Sequence, residues 1–160
     1  GNARDEDLQA AIDSMLTLNR RAAEVLRETG GVHTATDVTG FSLLGHGSEI
    51  ASKSEVNLAI QAESVPLLPG VLDYAAGGNF AGGLGRNRDH YTTHAGGVRF
   101  AADVDPLRQA AFFDPQTSGG LLLSICPRRA EDVRAAFAAA DAPLWEIGEV
   151  REGAGIDVSA

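Results

Sequence analysis

Asp37 is the residue whose type and setting point most directly to chemistry. It lies in the stretch ATDVTGFSLLGHG, residues 35–47, directly after a short predicted strand and before a glycine-led helix. A carboxylate at such a turn can accept backbone N–H groups, as a helix cap or in an Asx-turn. It can also bind Mg²⁺, which proteins often hold with one or two carboxylates plus water and substrate phosphates. Local sequence favours the cap and leaves both roles open.

A second stretch that could do chemistry is DPQTSGG, residues 114–120, which directly precedes a predicted buried strand. Its proline and glycines are typical of a tight turn. Alternatively, its free N–H groups and the hydroxyls of Thr117 and Ser118 form a cradle for an anion or a neighbouring loop. It is not a Walker A loop, because it has no lysine. The one lysine of the chain, Lys53, ends a predicted helix and is assigned to solvent.

The other polar candidates are weaker. Arg86 and Arg88 lie among glycines, where guanidinium groups could reach a phosphate or simply offset nearby acids. His46 has no second histidine four residues later, so it is interpreted as a packing or hydrogen-bonded residue, and His33 is interpreted in the same way.

His90 and His94 are four residues apart, but their predicted loop setting argues against a zinc site. Cys126 follows an apolar run and is interpreted as a small buried strand residue. The sequence therefore contains no complete catalytic centre, with neither a nucleophile and its base nor a full metal cluster.

Apolar periodicity places these residues on alternating helices and strands. Helices are predicted at 5–29, 39–54, within 69–76, 105–113 with Asp105 as cap, and 128–141, and strands at 32–36, 56–63, 98–102, 121–125 and 144–150. Residues 77–97 show no period and are predicted to form a long functional or mobile loop. Without an internal repeat, this order predicts a single α+β domain, layered, with a mixed β-sheet packed against helices.

Composition fits one globular domain. The chain has 160 residues, 44% hydrophobic and 22% charged, and a net charge of −9. This charge disfavours nucleic acid and membrane surfaces as partners, and a nucleotide would need local help from a metal ion, an arginine or a helix N-terminus. One cysteine fits a reducing, cytoplasmic setting. Residues 1–4 could be a tag or linker, and the whole chain could be a domain cut from a larger protein.

Taken together, ATDVTGFSLLGH and DPQTSGGLLLSI resemble the C-terminal domain of the selenophosphate synthetase (selenide, water dikinase) family, within the aminoimidazole ribonucleotide synthetase-like superfamily. Four further stretches of the chain also occur in the family's order: MLTLNRRAAEVL, VPLLPGVLDYAAGG, GRNRDHY and IGEV. The resemblance covers residues 7–150. The two motifs separate this family from relatives that make aminoimidazole ribonucleotide, mature hydrogenases or phosphorylate thiamine phosphate.

The resemblance implies an enzyme that makes selenophosphate, AMP and phosphate from ATP, selenide and water. Such enzymes are homodimers of two-domain subunits. Their N-terminal domain carries the reactive cysteine or selenocysteine, the catalytic lysine and most metal-binding aspartates. The present chain would be inactive by itself and would partner its missing N-terminal domain.

By the same resemblance, Asp37 corresponds to the aspartate that the C-terminal domain contributes to Mg²⁺ on the ATP phosphates. Supporting nucleotide-binding positions are Thr36, Thr39, Gly40, Thr117 and Ser118. Two alternatives remain open: another ATP-dependent synthetase or kinase of the superfamily, and a non-catalytic packing module.

The chain departs from the family pattern at Ser42, where the family usually has glycine, and at Leu84, where the bacterial pattern has threonine. Leu84 weakens a direct role of its loop in phosphate binding. The insertion GGNFAGG, residues 77–83, is also longer than usual.

Overall fold

The computed structural model describes residues 3–94 and 96–160. Their helices are α1 (Asp5–Leu16), α2 (Arg20–Thr29), α3 (Ser42–Ser54), α4 (Val71–Ala76), α5 (Leu84–Tyr91), α6 (Pro106–Ala111) and α7 (Ala130–Ala139), with 3₁₀ turns at Ala62–Ser64 and Pro127–Arg129. Their strands are β1 (Val32–Asp37), β2 (Val56–Gln61), β3 (Val98–Phe100), β4 (Leu121–Ile125), β5 (Gly148–Glu152) and β6 (Gly155–Ser159). No helix in these two ranges is long and apolar enough to cross a membrane.

The strands form two sheets. A four-stranded mixed sheet has the order β3-β6-β2-β5, in which β6 runs parallel to β2 and β3 while β5 is antiparallel to β2. β1 and β4 pair antiparallel in a separate two-stranded ribbon. The predicted α+β class with a mixed sheet packed against helices is confirmed.

The larger core lies between the four-stranded sheet and α3. Alternate residues of β2 and β6, among them Ile60, Ile156 and Val158, are buried with Leu44 of α3. Two consecutive phenylalanines after α6, Phe112 and Phe113, are in the same cluster. Burial of these apolar side chains supplies the main driving force for folding and fixes α3 against the sheet.

A smaller core holds the two-stranded ribbon. Val25 of α2 and Phe137 of α7 are buried together, and the β4 residues Leu121, Leu123 and Ile125 pack against them. Because α3 contacts both β1 and β4, the ribbon is held between this smaller core and α3.

The prediction of one continuous helix at the start of the chain is wrong. Instead of one helix there are two, interrupted at residues 17–19, where Thr17 has an extended backbone and the Asn19 side chain donates to the Gly119 carbonyl oxygen at 3.0 Å. This tertiary hydrogen bond competes with helix continuation, for which threonine and asparagine have low propensity. The predicted end is confirmed, since α2 stops at Gly30 with φ 73°.

The predicted long loop at 77–97 is also wrong, because it contains α5. The buried residues of α5 are Leu84, Asn87 and Tyr91, which follow the spacing of one helix face. Since the middle member is polar, hydrophobic periodicity alone does not detect this helix. Ala95, inside the same stretch, lies outside the described residues, as do Gly1 and Asn2 of the possible tag.

Boundaries elsewhere differ modestly. α3 begins at Ser42 rather than at residue 39 or 40, and the last predicted strand begins at Gly148 rather than at residue 144. A further strand, β6, was not predicted, although it is central in the four-stranded sheet. Its buried Ile156 and Val158 alternate with polar residues over too short a span for periodicity to stand out. The Asp105 cap of α6 is confirmed by a 3.0 Å bond from the Leu107 N–H.

A polar latch ties the start of α1 to α4. The buried Asp7 carboxylate accepts from Arg4 Nε at 2.7 Å and from the Tyr74 hydroxyl at 2.6 Å. These hydrogen bonds, together with the charge of Arg4, hold the pKa of Asp7 below its ordinary value. The ionised carboxylate therefore stabilises this contact.

We expect Asp7→Asn to lower stability at neutral pH, because asparagine offers the arginine no charge. A depressed folded-state pKa means that the stabilisation is present above about pH 4, the ordinary aspartate pKa, and is lost as pH falls through the lower folded-state pKa. Urea unfolding across this range measures the free-energy difference between wild type and variant, which should shrink toward acid pH. Asp5→Asn, at an exposed acid in the same helical turn, is the control. A pH-independent difference would contradict the assignment.

Candidate functional site

The two sequence motifs meet along one edge of the β1–β4 ribbon. Asp37, the last residue of β1, is the register partner of Leu121, the first residue of β4. Beyond the strands, the Val38 N–H donates to the Gly120 carbonyl at 2.9 Å, and the Gly119 N–H donates to the Val38 carbonyl at 3.0 Å. We call residues 37–42 and 113–120 together the motif edge.

The turn after Asp37 is fixed by Thr39. Its carbonyl accepts from the N–H groups of Ser42 at 2.9 Å and Gln116 at 3.1 Å. Its hydroxyl lies 3.2 Å from Nε2 of His46, one turn into α3. The turn is thus bonded both to the DPQTSGG segment and to the following helix.

Asp37 does not cap α3. The N-cap position is Phe41, which makes no side-chain cap bond, and α3 begins five residues after Asp37. The Asp37 side chain is exposed, and among residues 3–94 and 96–160 its carboxylate has no hydrogen-bond or ion-pair partner. The helix-cap interpretation is therefore wrong, and the carboxylate is available for a ligand.

The other predicted nucleotide-binding positions gather at or beside the same edge. Thr36 is half-buried and its hydroxyl lies 3.3 Å from the Asp37 carbonyl. Gly40, Thr117 and Ser118 are exposed. The structure brings these positions together with Asp37, whereas their binding to nucleotide stays a prediction.

Asp114 is an acid of the motif edge to which the sequence assigned no role. Burial raises the pKa of its carboxyl, and a 3.3 Å hydrogen bond from the Ala81 N–H only partly opposes this effect. It links the glycine-rich loop at 77–83 to the motif edge.

α5 lies against both segments of the motif edge. The Asn87 side-chain amide donates to the Gly40 carbonyl at 3.0 Å and to the Phe113 carbonyl at 3.1 Å. Sequence reasoning missed Asn87, although its spacing from Leu84 and Tyr91 gave a signal. Arg86 and Arg88 flank it in sequence and are exposed. Arg88 lies 3.8 Å from the carboxylate of its neighbour Asp89.

The remaining candidate side chains are three histidines, a cysteine and a lysine. The rings of His90 and His94 stack with centroids 4.2 Å apart, and His33 is exposed on β1. Cys126 is half-buried just after β4. Lys53 pairs with Glu49 at 3.2 Å on the exposed end of α3, as its assignment to solvent predicts. Within the described ranges no three histidine, cysteine or acidic side chains group to hold a metal ion.

The chain matches a known protein family over almost its whole length. A family model described as "AIR synthase related protein, C-terminal domain" matches residues 3–160. The chain belongs to this family.

Curated relatives of this family domain include two selenide, water dikinases. That of Nitratidesulfovibrio vulgaris (strain DP4) is 42% identical over 135 residues, covering 84% of this chain and 37% of the relative. That of Burkholderia cenocepacia (strain J2315) is 42% identical over 161 residues, covering 99% of this chain and 44% of the relative. The chain spans well under half the length of both relatives.

The family fold also recurs in thiamine monophosphate kinase from Aquifex aeolicus. That structure aligns with a TM-score of 0.53 at 18% identity, covering 99% of this chain and 42% of that chain. At this identity the likeness shows a shared fold and nothing about substrate.

Ser42 is a strained position in this member of the family domain. Its φ is 68°, its exposure is 1%, and its hydroxyl has no hydrogen-bond partner within the described ranges. Left-handed backbone and an unsatisfied buried hydroxyl both destabilise a non-glycine residue. These features explain why glycine suits this position.

We expect Ser42→Gly to stabilise the chain by about 1 to 2 kcal/mol, since glycine removes both the backbone strain and the unsatisfied hydroxyl. Chemical denaturation measures the difference. Ser42→Ala keeps the strained Cβ while removing the hydroxyl, so it separates the two contributions and should be the less stable variant. A Ser42→Gly variant that is less stable than wild type would contradict the assignment of strain to Ser42.

Gly119 is required by close packing at the motif edge. A Cβ at this position would collide with the Val38 carbonyl oxygen, whereas a Cβ at Gly120 would meet no atom within 4 Å. Neither glycine has a positive φ. The two adjacent glycines therefore differ in the space available for a side chain, and neither has the left-handed backbone that favours glycine.

We expect Gly119→Ala to destabilise the chain by about 1 to 3 kcal/mol, because the methyl group must push β1 and the 114–120 segment apart. Gly120→Ala is the matched control and should change stability by no more than about 0.5 kcal/mol. Thermal or urea unfolding of both variants provides the comparison, and equal effects would refute the steric explanation.

Proposed function

We propose that this chain is the C-terminal domain of a selenide, water dikinase, in which Asp37 supplies a carboxylate to Mg²⁺ bound by the ATP phosphates. The full enzyme would convert ATP, selenide and water into selenophosphate, AMP and phosphate. The observation that carries the proposal is the exposed Asp37 carboxylate at the end of β1, which has no partner among the described residues, in a chain 42% identical to enzymes of that name.

The donor set fits a shared magnesium site. Mg²⁺ prefers carboxylate oxygen and often takes only one or two protein carboxylates. Asp37 offers one, and no larger cluster of metal ligands occurs in the described part of the chain. In this proposal the remaining ligands are water, the ATP phosphates and groups of an N-terminal domain of the full enzyme.

The motif edge would position and not transform the substrate. Mg²⁺ on ATP phosphates offsets the charge that develops during phosphoryl transfer. Asp37 would fix the location of that charge from the end of β1, while the exposed hydroxyls of Thr117 and Ser118 and the N–H groups near Gly40 would face the nucleotide. Arg86 and Arg88, exposed on α5, could approach the phosphates from the other side.

The same proposal includes the rest of the assembly. The N-terminal domain would carry the reactive cysteine or selenocysteine and the catalytic lysine, and two full-length subunits would form a cytoplasmic homodimer. Residues 1–160 would then be one domain whose activity depends on that partner, and the chain alone should be inactive.

We expect Asp37→Asn in the full-length protein to lower selenide-dependent AMP formation by roughly 100-fold or more, the scale of one preorganised electrostatic contact. Asparagine keeps the shape but removes the charge that attracts Mg²⁺. The measurements are the rate of AMP formation and its dependence on Mg²⁺ concentration. Asp103→Asn, at an exposed acid in the turn between β3 and α6, is the control and should leave both unchanged.

Two results would overturn the proposal. One is normal turnover and Mg²⁺ dependence in Asp37→Asn, which would make the chain a packing module. The other is robust AMP formation by the chain alone, which would contradict the division of labour between domains. Selenide-independent turnover with a different small substrate would point instead to another synthetase or kinase of the superfamily.

A further inference from the structure

We propose that Asn87 is a positioning residue that sets the two segments of the motif edge relative to each other and so aims Asp37. The proposal deepens the function given above and rests on it for its metal readout. It is independent of that function in its structural claim.

One amide nitrogen bridges the two segments. Nδ2 of Asn87 donates to the carbonyls of Gly40, three residues after Asp37, and Phe113, the residue before Asp114. These two carbonyls belong to opposite segments of the motif edge. An amide NH₂ has two protons, so both bonds can form at once.

The bridge acts where the strand ladder has ended. The backbone bonds of Val38 and Thr39 join the segments on the β1 side. Gly40 lies beyond them, in a turn where an added Cβ would meet no atom within 4 Å. Asn87 therefore supplies the constraint on the far side of the turn.

Burial makes this contact strong and specific. Asn87 is 8% exposed and its bond to the Phe113 carbonyl is buried, so loss of the amide donor leaves that carbonyl unsatisfied, which is energetically costly. An apolar side chain of similar size would fill the space without restoring either bond. The residue type, and not only its volume, is thus required.

The helix that carries Asn87 is itself closely seated. The Tyr91 ring lies so near Gly45 of α3 that a Cβ there would come within 2.6 Å of it, and Gly83 lies equally close to Pro115 of the motif edge. A side chain on a helix packed at both ends is a precise support. Asn87 is buried, and its neighbours Arg86 and Arg88 are exposed.

The test compares Asn87→Ala with Asn57→Ala in the full-length protein. Asn57 is the control, because it is 5% exposed and its Nδ2 also donates to two backbone carbonyls, those of Ala154 and Gly155, but in the four-stranded sheet. It differs in one further acceptor, Oδ2 of Asp157 at 3.1 Å. The probes are Mg²⁺ itself, titrated in the AMP-forming assay, and native-state hydrogen exchange.

We expect Asn87→Ala to raise the Mg²⁺ concentration for half-maximal activity by about tenfold, the effect typical of losing an outer-shell support. The N–H groups of Val38, Ser42, Gln116 and Gly119 should exchange faster. Asn57→Ala should leave both the Mg²⁺ requirement and these four amides unchanged while it loosens β2 and β6.

If Asn87→Ala does not fold, Asn87→Gln replaces it, since glutamine keeps the amide but displaces it by one methylene. Wild-type Mg²⁺ dependence and exchange in the Asn87 variants, or equal Mg²⁺ shifts in both alanine variants, would overturn the proposal. If the wild-type protein forms no AMP with selenide, the proposed function fails, and the exchange of the four amides alone decides the role of Asn87.

Discussion

The antiparallel ladder between β1 and β4 is the constraint on which the candidate site depends. It joins two segments far apart in the chain and continues past the strands through Val38, Gly119 and Gly120. Closing so long a loop has an entropic cost, which the apolar packing of α2 and α7 on one side and α3 on the other offsets. Asp37 is placed at the end of this ladder, so its position follows from packing well away from it.

Close approach at the motif edge explains the small residues there. Gly119 has no room for a Cβ beside Val38, and Gly45 has none beside Tyr91. Ser42 breaks this pattern, because it is neither small enough nor conformationally free enough for a buried left-handed position. Strain of this kind persists only where surrounding structure holds it, and here the Thr39 carbonyl and the first turn of α3 do so.

Sequence patterns predicted the helices and strands whose apolar side chains recur at a regular spacing. They failed where a polar tertiary hydrogen bond determines the local structure. β1, β2, β4, α3 and α7 were recognisable because their own residues dictate them. The break before α2 depends on the hydrogen bond from Asn19 to Gly119. The buried face of α5 has the polar Asn87 in its middle, so it shows no apolar period. At the site, the motifs identified Asp37 and the 114–120 segment, but the freedom of the Asp37 carboxylate and the left-handed backbone of Ser42 depend on the folded turn and could not be predicted.

In the proposed function, Asp37 is one ligand of a site shared with another domain, and such a ligand gains from being held in place before that domain binds. An exposed carboxylate on a loose turn would lose conformational freedom when the ion binds, and that loss would weaken binding. The ladder on one side of the Asp37 turn and the Asn87 amide on the other impose the order during folding instead. The same reasoning accounts for the position of Asn87 on a packed helix. A glycine-rich loop in that place would not fix the positions of the carbonyls of Gly40 and Phe113.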